Sequence, residues 1–231
     1  GNIYCGTTYN WTFETTDQVN GRVYWGAQYP GAPSSGTGAL ALDAAVNGTT
    51  PDPINGAVLT VDLSNYYNSQ FLELDFEFYD AGDEVDANDR VWVRGSNADT
   101  WIEAYDLTTG TASWTYSGII DLDAVLSAAV PAQTVSSTFQ VKFGQEDNYQ
   151  FTTGDGLGFD NINIRELAAN DLAATNASSS ELSGCNLSDS VTICIDYINV
   201  GTATQYYPMM QYTLNSGAPV IETTTDTINP G

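Results

Sequence analysis

The sequence predicts an all-β chain, a two-sheet sandwich or barrel followed by part of a second, immunoglobulin-like sandwich. Three observations carry this. Short runs are rich in Val, Ile, Thr, Tyr, Phe and Trp, apolar residues recur at every second position within them, and Gly, Asn, Asp and Pro separate them.

The clearest strand is Phe71–Tyr79, where Leu72, Leu74, Phe76 and Phe78 share one face and Glu73, Asp75 and Glu77 the other. A loop, Asp80–Asp89, leads to Arg90–Arg94, with Val91 and Val93 inward and Arg90, Trp92 and Arg94 outward. The expected hairpin sets two of four arginines beside three carboxylates, each opposite-charge pair contributing roughly 0.2–1 kcal/mol. Rows of charge on a strand are as a rule solvated faces, so Glu73, Asp75 and Glu77 are assigned to structure and not to catalysis. Further strands are expected at Tyr9–Thr15, Leu40–Asp43, Ala57–Asp62, Thr100–Asp106, Ser113–Ile119, Thr138–Gly144 and Gly158–Arg165. One or two helical turns are expected at Leu122–Ala129, apolar at 122, 125 and 126 and ending before Pro131.

Composition changes after Arg165-Glu166, which places a domain boundary near 167–171 and divides the chain into 1–166 and 167–231. Beyond it, strands are expected in Val191–Asn199, Tyr206–Leu214 and Val220–Ile228, with a turn at Asn215-Ser-Gly217. An immunoglobulin-like sandwich needs about seven strands, and about four fit here. The second domain is therefore expected to stop in mid-fold, its edges completed by more of a longer chain or by another segment.

The charge balance narrows the function classes. Twenty-nine Asp and Glu against five Lys and Arg give −24, which repels phosphate backbones and anionic membranes. With no His, Ser-His-Asp triads, Cys-His dyads and most zinc or iron sites are excluded. The single lysine, Lys142, leaves little for Schiff-base or P-loop chemistry. Oxygen-ligated hard cations and two-carboxylate glycoside hydrolysis survive. No run of 18 apolar residues occurs, and the chain opens at Gly1 without a charged and then apolar leader, so a removed signal or an excised piece is expected. Cys5, Cys185 and Cys194 lie in a chain of extracellular style. Cys185 and Cys194 bracket the turn-forming Asn186–Ser190, within reach of a disulfide; the alternatives are two small hydrophobes or partners elsewhere.

Trp11-Thr-Phe-Glu14, Gly38–Asp43, Arg90–Ser96 with Trp101, and Gly154–Ile164 stand in the order and spacing of an extracellular jelly-roll group. Residues 5–166 thus resemble the MAM, reelin-repeat and carbohydrate-binding-module families. The last segment is similar to their closing strand DGxxxDDIxI, with Asn161 in place of the second Asp. Asn170-Asp-Leu172, Ser183–Ser188, Val191–Ile195, Asn199-Val-Gly201, Tyr212–Gly217, Pro219–Thr223 and Ile228–Gly231 resemble the repeated Ig-like modules of large Bacteroidota surface proteins, including gliding-motility adhesins exported by type IX secretion.

The jelly-roll resemblance implies calcium where the first and last strands meet, on Glu14, Asp17, Asp43 and Asp160, with Asn161 and backbone carbonyls available. Glu14 and Asp160 also lie within apolar runs, where a buried carboxylate requires a partner or metal; the alternative is boundary residues with hydrogen-bonded or solvated heads. The loop Asp80–Asp89 holds five carboxylates in ten residues, a second place for calcium set against a solvated hairpin tip; it lacks EF-hand spacing. Trp25, Trp92, Trp101 and Trp114 with Tyr24, Tyr29, Tyr66 and Tyr67 offer rings for sugar stacking, most of them expected in the core. Trp25, Tyr66 and Tyr67 are the ligand-binding candidates. Ser190 and Thr227 fit the Asp-Ser/Thr-apolar glycosylation pattern of Bacteroidota, and Asn10, Asn47, Asn176 and Asn186 occupy N-x-S/T sequons.

The leading expectation is a non-enzymatic adhesion or recognition module of a secreted, surface-displayed bacterial protein, calcium-stabilised, with a glycan or surface ligand and other chains or repeats of the same protein as partners. Nucleic acid and membrane insertion are excluded as partners. The alternatives are an accessory or catalytic β-sandwich of a secreted glycan hydrolase, marked by two facing carboxylates in a cleft, and a structural spacer.

Overall fold

The computed structural model describes residues 9–26, 33–69, 71–82, 84–151, 154–179, 192–213 and 217–230. The chain divides into two compact units, Gly1–Glu166 and Leu167–Gly231.

In the first unit the strands are β1 (Tyr9–Thr15), β2 (Gly21–Gly26), β3 (Ala39–Ala44), β4 (Ile54–Val61), β5 (Leu72–Asp80), β6 (Arg90–Arg94), β7 (Ile102–Asp106), β8 (Thr115–Tyr116), β9 (Ile120–Asp121), β10 (Phe139–Glu146) and β11 (Leu157–Glu166). One short helix, α1 (Leu122–Ser127), is capped by Asp121, whose side chain accepts the Ala124 N–H at 2.8 Å. The strands form two antiparallel layers among the described residues, ordered β1-β4-β10-β6-β7 and β2-β3-β11-β5-β8, with β9 also on β5. This is a jelly-roll sandwich in which β1 and β2 are the neighbouring edges of opposite sheets.

The alternation of the strands builds the core. Ala57, Leu59 and Val61 of β4, Val91 and Val93 of β6, and Phe139, Val141 and Phe143 of β10 face Leu40, Leu42, Leu74, Phe76, Phe78 and Phe159 of the other sheet. At its centre Phe143 meets Phe76 edge-on at 5.4 Å and Phe159 at 4.9 Å. Each such fully buried ring stabilises the fold by about 2–3 kcal/mol. In β11 the alternation breaks: Leu157 and Phe159 point inward, then the register shifts between Asp160 and Asn163, and Ile162 and Ile164 point inward. The extra residue is a β-bulge, and Asn161 adopts the left-handed conformation it requires (φ 48°).

Two sequence expectations are corrected here. Strands β5 and β6 are not a hairpin; they lie in opposite sheets, β5 beside β11 and β6 between β10 and β7. The carboxylates of β5 are paired instead with Arg165 of β11, Glu73 at 3.0 Å and Asp75 at 2.5 Å. Arg90 turns to Asp106 (3.1 Å) and Glu103 (3.6 Å) on β7. The expected wet face of β5 is also largely covered, since Glu73 and Asp75 are buried. Strand β2, bounded by Gly21 and Gly26, was not anticipated.

The second unit contains β12 (Leu172–Ser179) paired with β13 (Ile193–Asn199), β14 (Gln205–Tyr206) with β17 (Thr227–Ile228), and β15 (Met209–Tyr212) with β16 (Val220–Thr223). Strand β12 falls in the Ser/Thr/Asn-rich stretch where no strand was expected. Among its described residues only Asn199, Gly201 and Pro208 are buried. Asn199 ties the unit together, donating to the carbonyls of Ala203 (2.9 Å) and Ile228 (3.0 Å) and accepting from the Gly201 N–H (3.0 Å). Cys194 is exposed and unbonded; Cys5, Cys185 and Ser190 lie outside the described residues, while Thr227 is exposed on β17.

Candidate functional site

Strand β1 carries Tyr9, Trp11 and Phe13 on its inward face, and as an edge strand it covers them only partly. Trp11 packs against the core, 6.2 Å from Phe143, while Tyr9 and Phe13 are 55% and 58% exposed. On the facing edge, Trp25 of β2 points inward over Leu40 of β3 and is 62% exposed. These side chains, with Leu59, Phe159, Asp160, Asn161 and Ile162, line a groove of about 310 Å³ between the two edges. The indole lies over Gly38, where an added Cβ would stand 2.8 Å from Nε1, so the missing side chain gives the ring its seat.

The β11 bulge supplies the polar end of the groove. Asp160 is buried and fixed by two backbone donors, the Ser35 N–H to Oδ2 and the Asn161 N–H to Oδ1, each at 2.8 Å. Asn161 is turned out by its backbone, donates to Glu77 Oε2 at 2.7 Å and accepts from the Ser35 hydroxyl at 2.6 Å; the Ser34 hydroxyl also donates to Glu77. Apolar ring faces beside a fixed amide and carboxylate suit a ligand with both C–H faces and hydroxyl groups.

The other ligand-binding candidates lie elsewhere. Tyr66 ends a 3₁₀ turn, Ser64–Tyr66, and packs against the core. Tyr67 is 63% exposed beside α1, in a cavity of about 390 Å³ shared with Ser69, Asp121, Asp123 and Gln133. Trp25, Tyr66 and Tyr67 therefore do not form one platform. Tyr9, Phe13 and the bulge were not singled out as site residues, although the alternation of aromatic residues at 9, 11 and 13 on an edge strand was visible.

The structure does not bring the four carboxylates expected to hold calcium together. Glu14 is on the outward face of β1, exposed, with Oε1 3.4 Å from Lys142 Nζ. Asp17 closes its own turn, accepting from the N–H groups of Val19 (2.9 Å) and Asn20 (3.1 Å), and these donors hold its carboxyl below the usual range. Asp43 lies on the opposite side of the six-stranded sheet, buried, paired with Arg22 (Nε to Oδ1 2.6 Å) and capped by the Phe151 N–H (2.8 Å). Asp160 is engaged in the groove. Among the described residues no three metal-binding side chains come together. Their separation is topological: β1 and β11 meet across the groove as members of different sheets, and their carboxylates face different ways.

Acidity is concentrated around the turns after β5 and β10. In the loop Asp80–Asp89, Asp83 lies outside the described residues. Asp89 is buried and accepts the N–H groups of Asp86 (2.7 Å) and Glu146 (3.0 Å), so backbone donors organise the loop; burial nevertheless pushes its carboxyl up to about 6. Burial also raises Glu84 and Asp86. Asp147 is pushed up to about 7, first by burial and further by the charges of Asp155 and Asp43.

No family model and no curated protein matches the chain. Among solved structures the chain is similar to the family 11 carbohydrate-binding module from Clostridium thermocellum in complex with a β-1,3-1,4-mixed-linked tetrasaccharide, with 14% identity over 66% of this chain and 86% of that one and a TM-score of 0.39. It is similar to the K2 cleaved adhesin domain of Lys-gingipain, with 13% identity over 66% and 87% and a TM-score of 0.38. It is also similar to the glycoside hydrolase domain of Endo-D from Streptococcus pneumoniae R6, with 11% identity over 96% of this chain and 32% of that one and a TM-score of 0.39.

Proposed function

We propose that the first unit is a non-enzymatic recognition module that binds a glycan in the groove between β1 and β2, as part of a secreted, surface-displayed adhesin. The observation that carries this reading is the exposed indole of Trp25, seated against Gly38 beside the fixed Asp160 and Asn161. Sugar rings stack their C–H faces on indoles and present hydroxyls at the rim, where the Asn161 amide and the Ser35 hydroxyl stand.

Hydrolysis is the weaker reading. A glycosidase needs two carboxyls roughly 5–10 Å apart across the scissile bond. Of the described residues lining the groove only Asp160 carries a carboxylate, and each of its oxygens already accepts a backbone N–H.

Binding of soluble neutral β-glucans and mannans, measured by calorimetry for the wild type and for Trp25→Ala, tests the proposal. Loss of at least about tenfold in affinity with an unchanged melting temperature is expected, because a ring this exposed contributes little to the fold. Equal binding by both proteins overturns it.

A further inference from the structure

The chain has five cationic side chains, and four of them are paired with carboxylates: Arg22 with Asp43, Arg90 with Asp106 and Glu103, Lys142 with Glu14, and Arg165 with Glu73 and Asp75. Arg94 has no ion pair among the described residues, in a protein with 29 acidic side chains. Its position is nevertheless fixed. The β6–β10 register sets it opposite Gln140, whose Oε1 accepts from Nε at 2.6 Å, and the Asp99 carbonyl accepts from Nη1 at 3.2 Å. Gln140 is held in turn by the Thr60 hydroxyl at 2.8 Å. The guanidinium lies 4.1 Å from the centre of the Trp101 ring. Neutral acceptors and an aromatic face thus orient the group, while the carboxylates of Glu14 and Asp99 act on its charge from beyond ion-pair distance.

Lys142 adds a second cation to the same patch. Its Nζ stands 5.0 Å from the centre of the Trp101 ring and 4.5 Å from that of Trp92. Among the described residues its ion pair is with Glu14, whose side chain is itself 56% exposed. Trp92 lies over Gly144, where an added Cβ would approach Cζ3. Arg94, Lys142, Trp92 and Trp101 are all partly exposed on the outward face of the five-stranded sheet. The exposed Glu14 is the carboxylate that faces both cations, 3.4 Å from Lys142 and at longer range from Arg94, and an oxyanion placed beside the guanidinium accepts its unused N–H groups.

We propose that this face is a second binding site, separate from the groove, that takes the oxyanion of an acidic glycan, a uronate carboxylate or a sulfate ester. The partly exposed indoles favour a sugar carrier over a peptide, because a pyranose offers a flat C–H face beside its charged substituent. The site is independent of the groove reading, since none of its residues lines the groove.

The test uses the full chain at 150 mM salt, where a Debye length of about 8 Å suppresses the repulsion from the net −24 charge and leaves the local contacts. Polygalacturonate and a sulfated dextran are the probes, and carboxyl-reduced polygalacturonate and polyglutamate are the controls. At least one acidic polysaccharide binds, with Arg94→Gln and Lys142→Gln each weakening it about tenfold or more and Trp25→Ala leaving it unchanged. Arg94→Lys, which keeps the charge and loses the fork, gives an intermediate loss and guards against a folding defect in Arg94→Gln. The preference between the two polymers identifies the oxyanion. Unchanged affinity in both Gln variants, equal binding of the carboxyl-reduced polymer, polyglutamate binding with the same Arg94 dependence, or no binding of either acidic polymer would each overturn the proposal.

Discussion

The backbone N–H of Ala44 donates to Oδ2 of Asp147 at 3.2 Å, fastening the end of β3 to the turn that follows β10. The same carboxylate accepts the Gln145 side-chain amide and the Tyr149 N–H, each at 2.8 Å, yet it is fully buried near Asp43 and Asp155. Desolvation outweighs these donors, so the folded protein binds this proton more tightly than the unfolded chain.

Stability therefore falls as pH rises through this range. An unfolded Asp titrates near about 3.9, whereas Asp147 titrates at about 7 and Asp89 at about 6 in the folded protein. Between those limits the native state holds the extra protons, so the contribution is complete at and below about pH 4 and is lost on reaching about pH 7. Melting temperature measured from pH 4.5 to 7.5 should decline. Asp155→Asn, which removes a neighbouring negative charge, should complete the decline at a lower pH; an unchanged profile would contradict this account.

Arg22→Met leaves the fully buried Asp43 carboxylate without its cation. A broken buried pair costs about 3 kcal/mol or more, discounted here because Arg22 is about one-third exposed. Urea unfolding of the first unit should show a loss of roughly 2–3 kcal/mol, and a change below about 0.5 kcal/mol would show that water already screens the pair.

Phe143→Ala removes the ring that touches Trp11, Phe76 and Phe159 at the centre of the sandwich. Such truncations cost about 3–5 kcal/mol. Calorimetry should show a marked fall in the first unit's melting transition.

Gly38→Ala places a methyl group 2.8 Å from the Trp25 Nε1 and forces the indole off its seat. Because the ring is exposed, it moves at little cost to the fold. The expected result is a change in stability under about 0.5 kcal/mol with weaker glycan binding; full binding would show that the ring's position is unimportant.

Much of the fold was legible because its strands obey a period of two: Phe71–Tyr79 announces β5, and Leu122, Val125 and Leu126 announce α1. Pairing was not legible. The chain crosses between sheets after β5, and nothing in Phe71–Arg94 distinguishes a hairpin from a crossing; only the distant Arg165 reveals where Glu73 and Asp75 belong. Strand β2 was missed because a six-residue run that begins and ends in glycine resembles a turn. In the site, Trp25 was visible as a ring suited to exposure, but its groove depends on the meeting of two edges and on a bulge that re-phases β11. The calcium set followed from the jelly-roll resemblance and from Glu14 and Asp160 lying within apolar runs, whereas side-chain direction is decided by sheet membership.

The seat of Trp25 has a spectroscopic consequence. The other four tryptophans are only partly accessible, Trp11 against Phe143, Trp114 against Tyr79, and Trp92 and Trp101 beside cations. Trp25 alone among them offers most of its indole to small quenchers such as acrylamide. The red-shifted, quenchable fraction of the emission is thus a built-in optical gauge of whether the groove is filled, readable without any label.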